Sequence, residues 1–430
     1  MKLPYPERLQ GLILQAGLDR LPAKPLKFLA EQAVRFRFTS QELRQLGDMA
    51  LDLQMWGEST IETLWPVQEW DGLSHKQRRQ RILAQISAQW RQLKLSPNHY
   101  PQRFAGKGFS PQRIKRLTIE RDKLGLGVCP VASPQTRCCN LLTLDAVENC
   151  GFDCSYCSIQ SFYHGDEVRF DSGFGEKLAR LEIDPDRFYH IGTGQSSDSL
   201  MWGNQAGILE ALLEFARRHP NVILELKTKS KNISYLLKTN VPPNLLCTWS
   251  LNTPTLIANE EHLTASLDER LRSARRLADR GVLVGFHFHP MIHYDYWRED
   301  YGLLFQRLLR EFTADEIVLV SFGTLTYIKP VIKQLRSRKD FHSKILQMPL
   351  VECDGKLSYP QTIKQEMFSF AYRSLQAWHD KVFFYLCMEN QRLWQPVFGY
   401  EYPSNRAFEA AMQQAYSDKI RRRRRDGYGS

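Results

Sequence analysis

Hydrophobic positions recur with the periodicity of an α-helix over roughly the first hundred residues of the chain. Ile82, Ile86, Trp90 and Leu93 recur at three- and four-residue steps, and arginines at 78, 79, 81 and 91 accompany them, so the pattern predicts an amphipathic helix over residues 77–94 with a basic outer face. Because charged faces are usual on surface helices, we interpret this face as solvated rather than as a nucleic-acid contact.

From residue 141 the rhythm changes to short apolar runs that alternate with amphipathic segments. The predicted strands span residues 141–147, 188–192, 222–227, 246–251, 282–288 and 316–321, and the clearest helices span 207–219, 266–279 and 297–312. Six strand–helix units in succession predict parallel strands joined by right-handed crossovers. The fold class is therefore α/β, as a barrel, complete or partial, or as an open doubly wound sheet.

Polar residues follow four successive predicted strands, at the edge where such a barrel carries its working side chains. They are Gly192 to Asp198 after the second strand, Thr228 to Ser230 after the third, Ser250 to Asn252 at the fourth and His287 to Pro290 at the fifth. The glycines alone would indicate only a tight turn. Four polar sets at four neighbouring strand ends predict one shared pocket.

Three cysteines lie close together just after the first predicted strand. Cys150, Cys154 and Cys157 have the spacing C-x3-C-x2-C, which is short enough for a single loop to bring three sulfurs to one metal centre. Four cysteines hold a cubane cluster that transfers electrons, whereas three leave one iron open for a ligand that takes part in chemistry.

The other cysteines and the neighbouring histidines have ordinary structural interpretations. Cys129 and the pair Cys138 and Cys139 could supply a further ligand, but we interpret them as buried apolar groups. His287 and His289 lie two apart on a predicted strand and so share one face. We expect them to line the pocket and donate hydrogen bonds rather than to hold a second metal.

The composition and net charge of the chain indicate its cellular compartment and the kind of partner that it binds. The chain has 430 residues, 43% of them hydrophobic and 24% charged, which indicates a soluble protein of two domains or of one barrel with an appendage. Nine cysteines with a tight cluster favour metal ligation in the cytoplasm over a disulfide framework. The formal charge of +11 predicts attraction to polyanions, above all nucleic acid. We expect no membrane segment and no signal peptide.

The same patterns suggest five regions. They are a helical N-terminal region (1–100), a basic connector (101–140), the barrel (141–340), a C-terminal α/β extension that packs on the barrel (341–415) and a basic disordered tail (416–430). The tail contains the run Arg421 to Arg425, which would add salt-sensitive affinity for phosphates.

The motifs resemble the radical S-adenosylmethionine superfamily and, within it, the spore photoproduct lyase family. The superfamily signature is the cysteine loop with an aromatic residue, Tyr156, before its last cysteine. The finer resemblance runs from about Cys129 to Tyr400, in phrases such as Ser196-Ser197-Asp198, Thr228-Lys229, Trp249-Ser250-Leu251-Asn252 and Thr264-Ala265-Ser266. It implies a partial (β/α)6 TIM-type barrel and leaves the N-terminal helical region uncovered.

The resemblance also implies cofactors and site residues. Cys150, Cys154 and Cys157 would hold three irons of a [4Fe–4S] cluster, and S-adenosylmethionine would chelate the fourth and be cleaved to a 5′-deoxyadenosyl radical. Contacts to S-adenosylmethionine are expected from Tyr156, Gly192, Thr193, Gly194, Ser197, Lys229, Ser250 and Asn252. Lys229 suits the methionine carboxylate on charge. The expected partners are DNA that carries a thymine photolesion and an electron donor such as flavodoxin or ferredoxin.

Two positions depart from the family pattern. Gln195 stands where the lyases carry a cysteine that returns a hydrogen atom to the product radical, and Ser158 stands where they carry a tyrosine. An amide cannot replace a thiol as a hydrogen-atom donor. The changes leave the activation chemistry intact but bring repair of that particular thymine dimer into question.

Two other classes of function stay open on the sequence. One is a radical S-adenosylmethionine enzyme that acts on RNA, a peptide or a metabolite, which Gln195 favours. The other is a non-enzymatic zinc module in which Cys139 or His164 completes a tetrahedral site.

Overall fold

The computed structural model describes residues 4–68, 70–95, 98–101, 114–129, 135–163, 165–338, 341–353 and 355–425. The chain divides into two compact units. The helical unit comprises Met1–Gly106 and Tyr327–Val351, and the barrel unit comprises Lys107–Thr326 and Glu352–Ser430. The predicted barrel boundary at residue 340 differs from this division, because residues 327–351 group with the N-terminal helices.

Fourteen α-helices occur in the described residues. They are α1 (Tyr5–Ala16), α2 (Ala23–Phe36), α3 (Ser40–Trp56), α4 (Ile61–Leu64), α5 (His75–Leu95), α6 (Phe174–Ala179), α7 (Ile208–Arg218), α8 (Pro254–Glu260), α9 (Leu267–Ala278), α10 (Trp297–Glu311), α11 (Lys329–Ser337), α12 (Gln361–Ser374), α13 (Trp394–Phe398) and α14 (Asn405–Arg425). None of them is both long and apolar enough to cross a membrane.

The same residues form sixteen β-strands, several of them only two or three residues long. They are β1 (Lys115–Ile119), β2 (Leu126–Val128), β3 (Leu142–Leu144), β4 (Val147–Glu148), β5 (Asp153–Cys154), β6 (Glu167–Asp171), β7 (Tyr189–Thr193), β8 (Val222–Thr228), β9 (Leu245–Ser250), β10 (Glu261–His262), β11 (Val284–Met291), β12 (Ile317–Thr324), β13 (Thr326–Tyr327), β14 (Val351–Cys353), β15 (Lys356–Ser358) and β16 (Phe383–Leu386).

The helical unit is organised around α3. Its buried residues Leu43, Leu46, Ala50 and Leu53 recur at three- and four-residue steps, so one apolar stripe faces the other helices. A capping box between Thr39 and Glu42 fixes where the helix begins. The predicted helix over residues 77–94 is confirmed as α5, with Ile82 and Ile86 fully buried.

The barrel unit contains an eight-stranded sheet in the order β16-β12-β11-β9-β8-β7-β3-β2. The six predicted strands are confirmed as β3, β7, β8, β9, β11 and β12, which run parallel to one another. The sequence did not predict the two edges, where β16 pairs in parallel with β12 and β2 pairs antiparallel with β3. The sheet therefore curls into an open half-barrel, as the expected partial barrel requires.

Alternation along the strands separates a polar inner face from an apolar outer face. Glu225, Thr248 and His287, on three adjacent strands, hydrogen-bond one another on the inner face. Leu224 and Leu226 alternate with Glu225 along β8 and are fully buried. The inner face of the sheet therefore carries polar side chains that lead towards the carboxyl ends of the strands.

The C-terminal region corrects one prediction. The disordered tail expected from residue 416 is instead the second half of α14, which continues to Arg425. Phe408, Met412, Tyr416 and Ile420 are buried at four-residue steps, and this apolar stripe holds the helix on the barrel unit. The run of arginines is the end of that helix, and residues 426–430 lie outside the described part of the chain.

Candidate functional site

A cavity of about 240 Å³ lies at the carboxyl ends of the parallel strands. It is bordered by fourteen of the residues singled out from the sequence, which come from the cysteine loop and from all four polar strand ends. They are Cys150, Cys154, Tyr156, Cys157, Ser158, Gly194, Gln195, Ser197, Asp198, Thr228, Lys229, Ser250, His289 and Pro290. The predicted shared pocket is thus present, because parallel strands bring their carboxyl ends to one edge of the sheet.

Backbone pairing holds the cysteine loop over this edge. Strand β5 pairs antiparallel with β10, so that Cys154 lies opposite Glu261, and the Ser155 amide donates to the Glu260 carbonyl at 2.8 Å. A Cβ on Gly151 would come within 2.5 Å of the Met201 side chain. The glycine therefore lets the loop lie close to the segment after β7 without moving the Met201 methyl group.

A fully buried charge pair lies behind the loop. The Tyr156 hydroxyl donates to the Glu261 carboxylate, and Arg270, which is 0% exposed, donates to the same carboxylate. Arg270 also donates to the Ser250 carbonyl at 2.9 Å and to the Thr264 hydroxyl at 2.7 Å. The sequence analysis missed this network, although Arg270 falls on the apolar stripe of α9 with Leu267 and Leu271, a place where a charge needs a partner.

Asp198 joins two of the strand ends. Its carboxylate accepts from the Lys229 amide at 2.6 Å and from the Thr228 hydroxyl at 2.8 Å. It also accepts from the amides of Leu200 and Met201. Asp198 therefore fixes the loop after β7 against the end of β8, a positioning role that the sequence did not reveal.

Gly194 allows close approach within the same loop. It adopts φ +85°, and a Cβ there would lie 2.7 Å from the Lys227 carbonyl oxygen. A side chain at this position would be strained and would clash. The sequence suggested close backbone approach to a ligand, and the structure shows close approach to β8 at the wall of the cavity.

Lys229 brings a positive charge to the cavity. Burial favours its neutral form, but the neighbouring Cys154 and Glu261 outweigh burial and hold the pKa of Lys229 above its ordinary value. Its ammonium lies 5.7 Å from the centre of the Tyr156 ring, within the range of a cation–π contact. The side chain is therefore a cation in the cavity, available to an anionic group.

Burial changes the acidity of the loop thiols. It raises the pKa of Cys150 to about 12, with a further contribution from the Asp198 charge, and raises the pKa of Cys154 well above its ordinary value. Both are therefore neutral thiols at pH 7 until a metal displaces their protons.

The donor set fits an iron–sulfur cluster better than a single ion. In the described part of the chain, no three His, Cys, Asp or Glu side chains converge closely enough to hold one metal ion. A cubane cluster binds each thiolate to a different iron, so its ligands need not meet at one point. Three thiols from one loop facing one cavity match that requirement.

The two predicted pocket histidines occupy different depths. His289 borders the cavity, whereas His287 lies below it, 2% exposed and 2.7 Å from the Glu225 carboxylate. The Ser321 hydroxyl lies 2.6 Å from His287 Nδ1 and 2.9 Å from His289 Nε2. Burial lowers the pKa of both histidines, most strongly at His289.

Three of the expected cofactor contacts lie away from the cavity lining. A Cβ on Gly192 would meet the Leu141 side chain at 3.0 Å, so this glycine serves packing. The Thr193 hydroxyl lies 2.6 Å from that of Ser199. Asn252 is fully buried and accepts from the Tyr301 hydroxyl at 2.7 Å. Each of these groups already has a structural role.

The positions that depart from the family pattern both border the cavity. Gln195 and Ser158 line it together with Tyr163, whose hydroxyl lies 3.5 Å from the Cys157 sulfur. Among the alternative zinc ligands, Cys139 has Cys138 and Cys387 as its thiol neighbours rather than the cysteine loop. His164 lies outside the described residues.

Comparison with known proteins gives consistent results. Residues 178–347 match the family model for spore photoproduct lyase, a segment that begins after the cysteine loop. Spore photoproduct lyase of Clostridium acetobutylicum is 28% identical over 174 residues, which are 38% of this chain and 50% of the relative. The same enzyme of a Geobacillus species is 24% identical over 196 residues, 44% of this chain and 58% of the relative. The chain thus spans about half the length of the curated relatives it matches.

Solved structures show the same fold. A spore photoproduct lyase mutant superposes with a TM-score of 0.53 at 18% identity, over 63% of this chain and 82% of that one. A second mutant, with bound AdoMet and dinucleoside spore photoproduct, gives a TM-score of 0.52 at 19% identity over the same shares. Family model, curated relatives and fold agree, and residues 178–347 of the chain are similar to the spore photoproduct lyase family.

Proposed function

We propose that this chain is a radical S-adenosylmethionine enzyme that acts on a nucleic-acid substrate. The observation that carries the proposal is the single cavity in which the three thiols of the cysteine loop face the Lys229 cation and the end of β9. Three thiols leave one iron of a cluster open, and the cation beside them suits an anionic ligand of that iron.

Different residues around the cavity would bind the cluster and S-adenosylmethionine. Cys150, Cys154 and Cys157 would hold a [4Fe–4S] cluster, and Lys229 would bind the methionine carboxylate of S-adenosylmethionine. Tyr156, Gly194, Ser197 and Ser250 border the same cavity and would complete the cofactor site. We leave Gly192, Thr193 and Asn252 out of the cofactor site. Gly192 packs against Leu141, and the side chains of Thr193 and Asn252 already form hydrogen bonds within the protein.

Bound cofactors would supply an electron and a 5′-deoxyadenosyl radical, and the protein would position and shield them. The buried pair Glu261 and Arg270 would keep Tyr156 and the end of β9 in register with the cysteine loop. An external electron donor such as flavodoxin or ferredoxin would be required.

The proposed substrate is nucleic acid, with a thymine photolesion in DNA as the first candidate. The solved relative holds a dinucleoside spore photoproduct, and this chain carries a formal charge of +11, which favours a polyanion. A lesion has to leave the base stack to reach such a pocket, and a damaged base costs less to extrude. Gln195 at the cavity wall supports a second candidate, a substrate other than the thymine dimer.

The test starts with the protein purified and reconstituted without oxygen. We expect about four irons and four sulfides per chain, as a [4Fe–4S] cluster requires, and release of 5′-deoxyadenosine from S-adenosylmethionine after reduction. Cys154→Ala should abolish both, whereas Cys353→Ala, outside the cavity, should change neither. Colourless protein that binds zinc in place of iron would reject the enzyme and favour the zinc module.

A substrate screen separates the candidates. Ultraviolet-damaged DNA, undamaged DNA, RNA and peptide mixtures are compared by 5′-deoxyadenosine release above the uncoupled background. Stimulation by damaged DNA supports the lesion substrate, and stimulation by RNA or peptide alone rejects it.

A further inference from the structure

Positive charge is distributed very unevenly between the two units. The helical unit contains 21 Lys and Arg residues against 11 Asp and Glu, and the barrel unit contains 37 against 36. The helical unit therefore carries a formal charge of +10 out of the +11 of the whole chain. A charge of this size concentrated in one unit attracts polyanions.

The helical unit also contains a cavity of about 670 Å³, formed at the end of α1 and by α3 and α11. This volume lies within the range of sites that bind ligands, about 300–1,000 Å³. The charged residues of its lining are five cations and one carboxylate. They are Arg20, Arg44, Asp48, Lys329, Lys333 and Arg336. We call this the basic cavity.

Two of the arginines are held in place by carboxylates. Asp48 lies 3.4 Å from both the Arg20 and the Arg336 guanidinium. Arg336 in addition donates to both oxygens of the fully buried Asp52, at 2.8 and 2.7 Å. These pairs fix the direction of the guanidinium groups, so less side-chain entropy would be lost when they meet a ligand.

The positive charges of the two lysines in the basic cavity are in an electrostatically unfavourable environment. Lys329 and Lys333 are exposed, lie four residues apart on α11, and form no ion pair with a carboxylate among the described residues. Like charges at this spacing repel each other. Lys329 also stands in the first turn of α11, where the helix dipole disfavours a cation. A bound anion would relieve both penalties.

We propose that the basic cavity binds the sugar–phosphate backbone of a nucleic-acid strand. This rests on the proposed nucleic-acid substrate and gives a role to the helical unit. Phosphates would contact the two lysines and the fixed guanidinium groups, and Leu14, 57% exposed at the same cavity, offers apolar surface to a sugar. Because only +4 of the unit's formal charge of +10 comes from the cavity lining, the unit favours a polyanion over a single nucleotide.

The test uses the full chain with the double substitution Lys329→Gln and Lys333→Gln. The matched control is Lys24→Gln with Lys27→Gln, which removes the same charge from exposed positions on α2 of the same unit. Binding of a labelled single-stranded oligonucleotide is measured over a salt series. Since each phosphate contact on a single strand contributes about 0.7 to the slope of log K against log salt, the cavity variant should be shallower by about 1.4 and the control unchanged.

Three outcomes overturn the inference. Equal losses in both double variants would show that binding follows net charge alone. An unchanged slope in the cavity variant would place the phosphates elsewhere. Displacement of the oligonucleotide by ADP at lower concentration than by competing oligonucleotide would assign the cavity to a free nucleotide.

Failure of the inference can be told apart from failure of the proposed function. Release of 5′-deoxyadenosine without nucleic acid is measured in every variant, and neither pair of lysines borders the cysteine cavity. If the unmodified protein binds the oligonucleotide and responds to damaged DNA but the cavity variant is normal, the inference alone fails. If the unmodified protein binds no nucleic acid, the proposed substrate fails with it.

Discussion

The ammonium group of Lys229 lies 5.7 Å from the centre of the Tyr156 ring, so a cation from the end of β8 stands over the cysteine loop. The two residues are far apart in the sequence, and they meet because the cysteine loop folds back across the ends of the strands. The Glu261 carboxylate, and Cys154 once it is a thiolate, favour the charged form of Lys229 over the neutral form that burial favours.

Replacing Lys229 by Gln should weaken binding of S-adenosylmethionine roughly tenfold or more, because a hydrogen bond to a charged group contributes about 1.5–3 kcal/mol. Equilibrium binding to the reconstituted protein measures the effect, with iron content as a check on the cluster. Lys231→Gln is the control, since that side chain lies on the surface and pairs with Glu269. Equal affinities in the two variants would contradict the carboxylate contact.

Replacing Glu261 by Gln should lower the free energy of unfolding by about 3–5 kcal/mol, because the charge of Arg270 is left buried without its partner. The double variant Glu261→Gln with Arg270→Met should recover part of this loss. Denaturant unfolding of the full chain measures both. Asp315→Asn, which breaks the exposed pair with Lys381, should cost less than about 1 kcal/mol. A loss of that small size at Glu261 would refute the positioning role.

Replacing Gln195 by Cys should improve clean turnover of the thymine methylene dimer. Gln195 borders the cavity, and a thiol there could return a hydrogen atom to a product radical, which an amide cannot do. The measurement is product analysis per 5′-deoxyadenosine released, with Gln195→Ser as a control of similar size to cysteine. We expect weak or scrambled products from the unmodified protein, and clean repair by it would overturn the argument.

Alkylation of Cys150 in the cluster-free protein should depend on pH differently in the folded and unfolded chain. Burial raises the pKa of this thiol to about 12, so the rate should rise about tenfold per pH unit from pH 8 to pH 10. In denaturant the alkylation rate should level off near pH 9, which is the ordinary pKa of a cysteine thiol. A thiol with a raised folded pKa stabilises the fold below pH 9, and this contribution is lost as the pH rises from 9 towards 12. Peptide mass spectrometry measures the rates, and a folded-state plateau near pH 9 would contradict the burial.

The alternation of apolar runs and helices was sufficient to predict the centre of the sheet. Six strands were predicted within a few residues of their observed bounds, because a parallel strand that is covered on both faces has few polar positions to interrupt its apolar pattern. The edge strands β2 and β16 were missed, since a three- or four-residue strand has too few positions to show a period. The tail from residue 416 was predicted as disordered from its arginines, whereas Tyr416 and Ile420 hold it as a helix.

The sequence by itself determined that the three thiols of the cysteine loop border one cavity, because they lie within eight residues and need no distant partner to meet there. It also determined which strand ends carry polar groups. Only the tertiary structure decided which of those groups reach the cavity. Lys229 and Ser250 border it, whereas Asn252, two residues beyond Ser250, is buried in hydrogen bonds of its own. Arg270 donates to the Ser250 carbonyl and Tyr301 donates to Asn252, and contacts between residues so distant in sequence are not encoded in local periodicity.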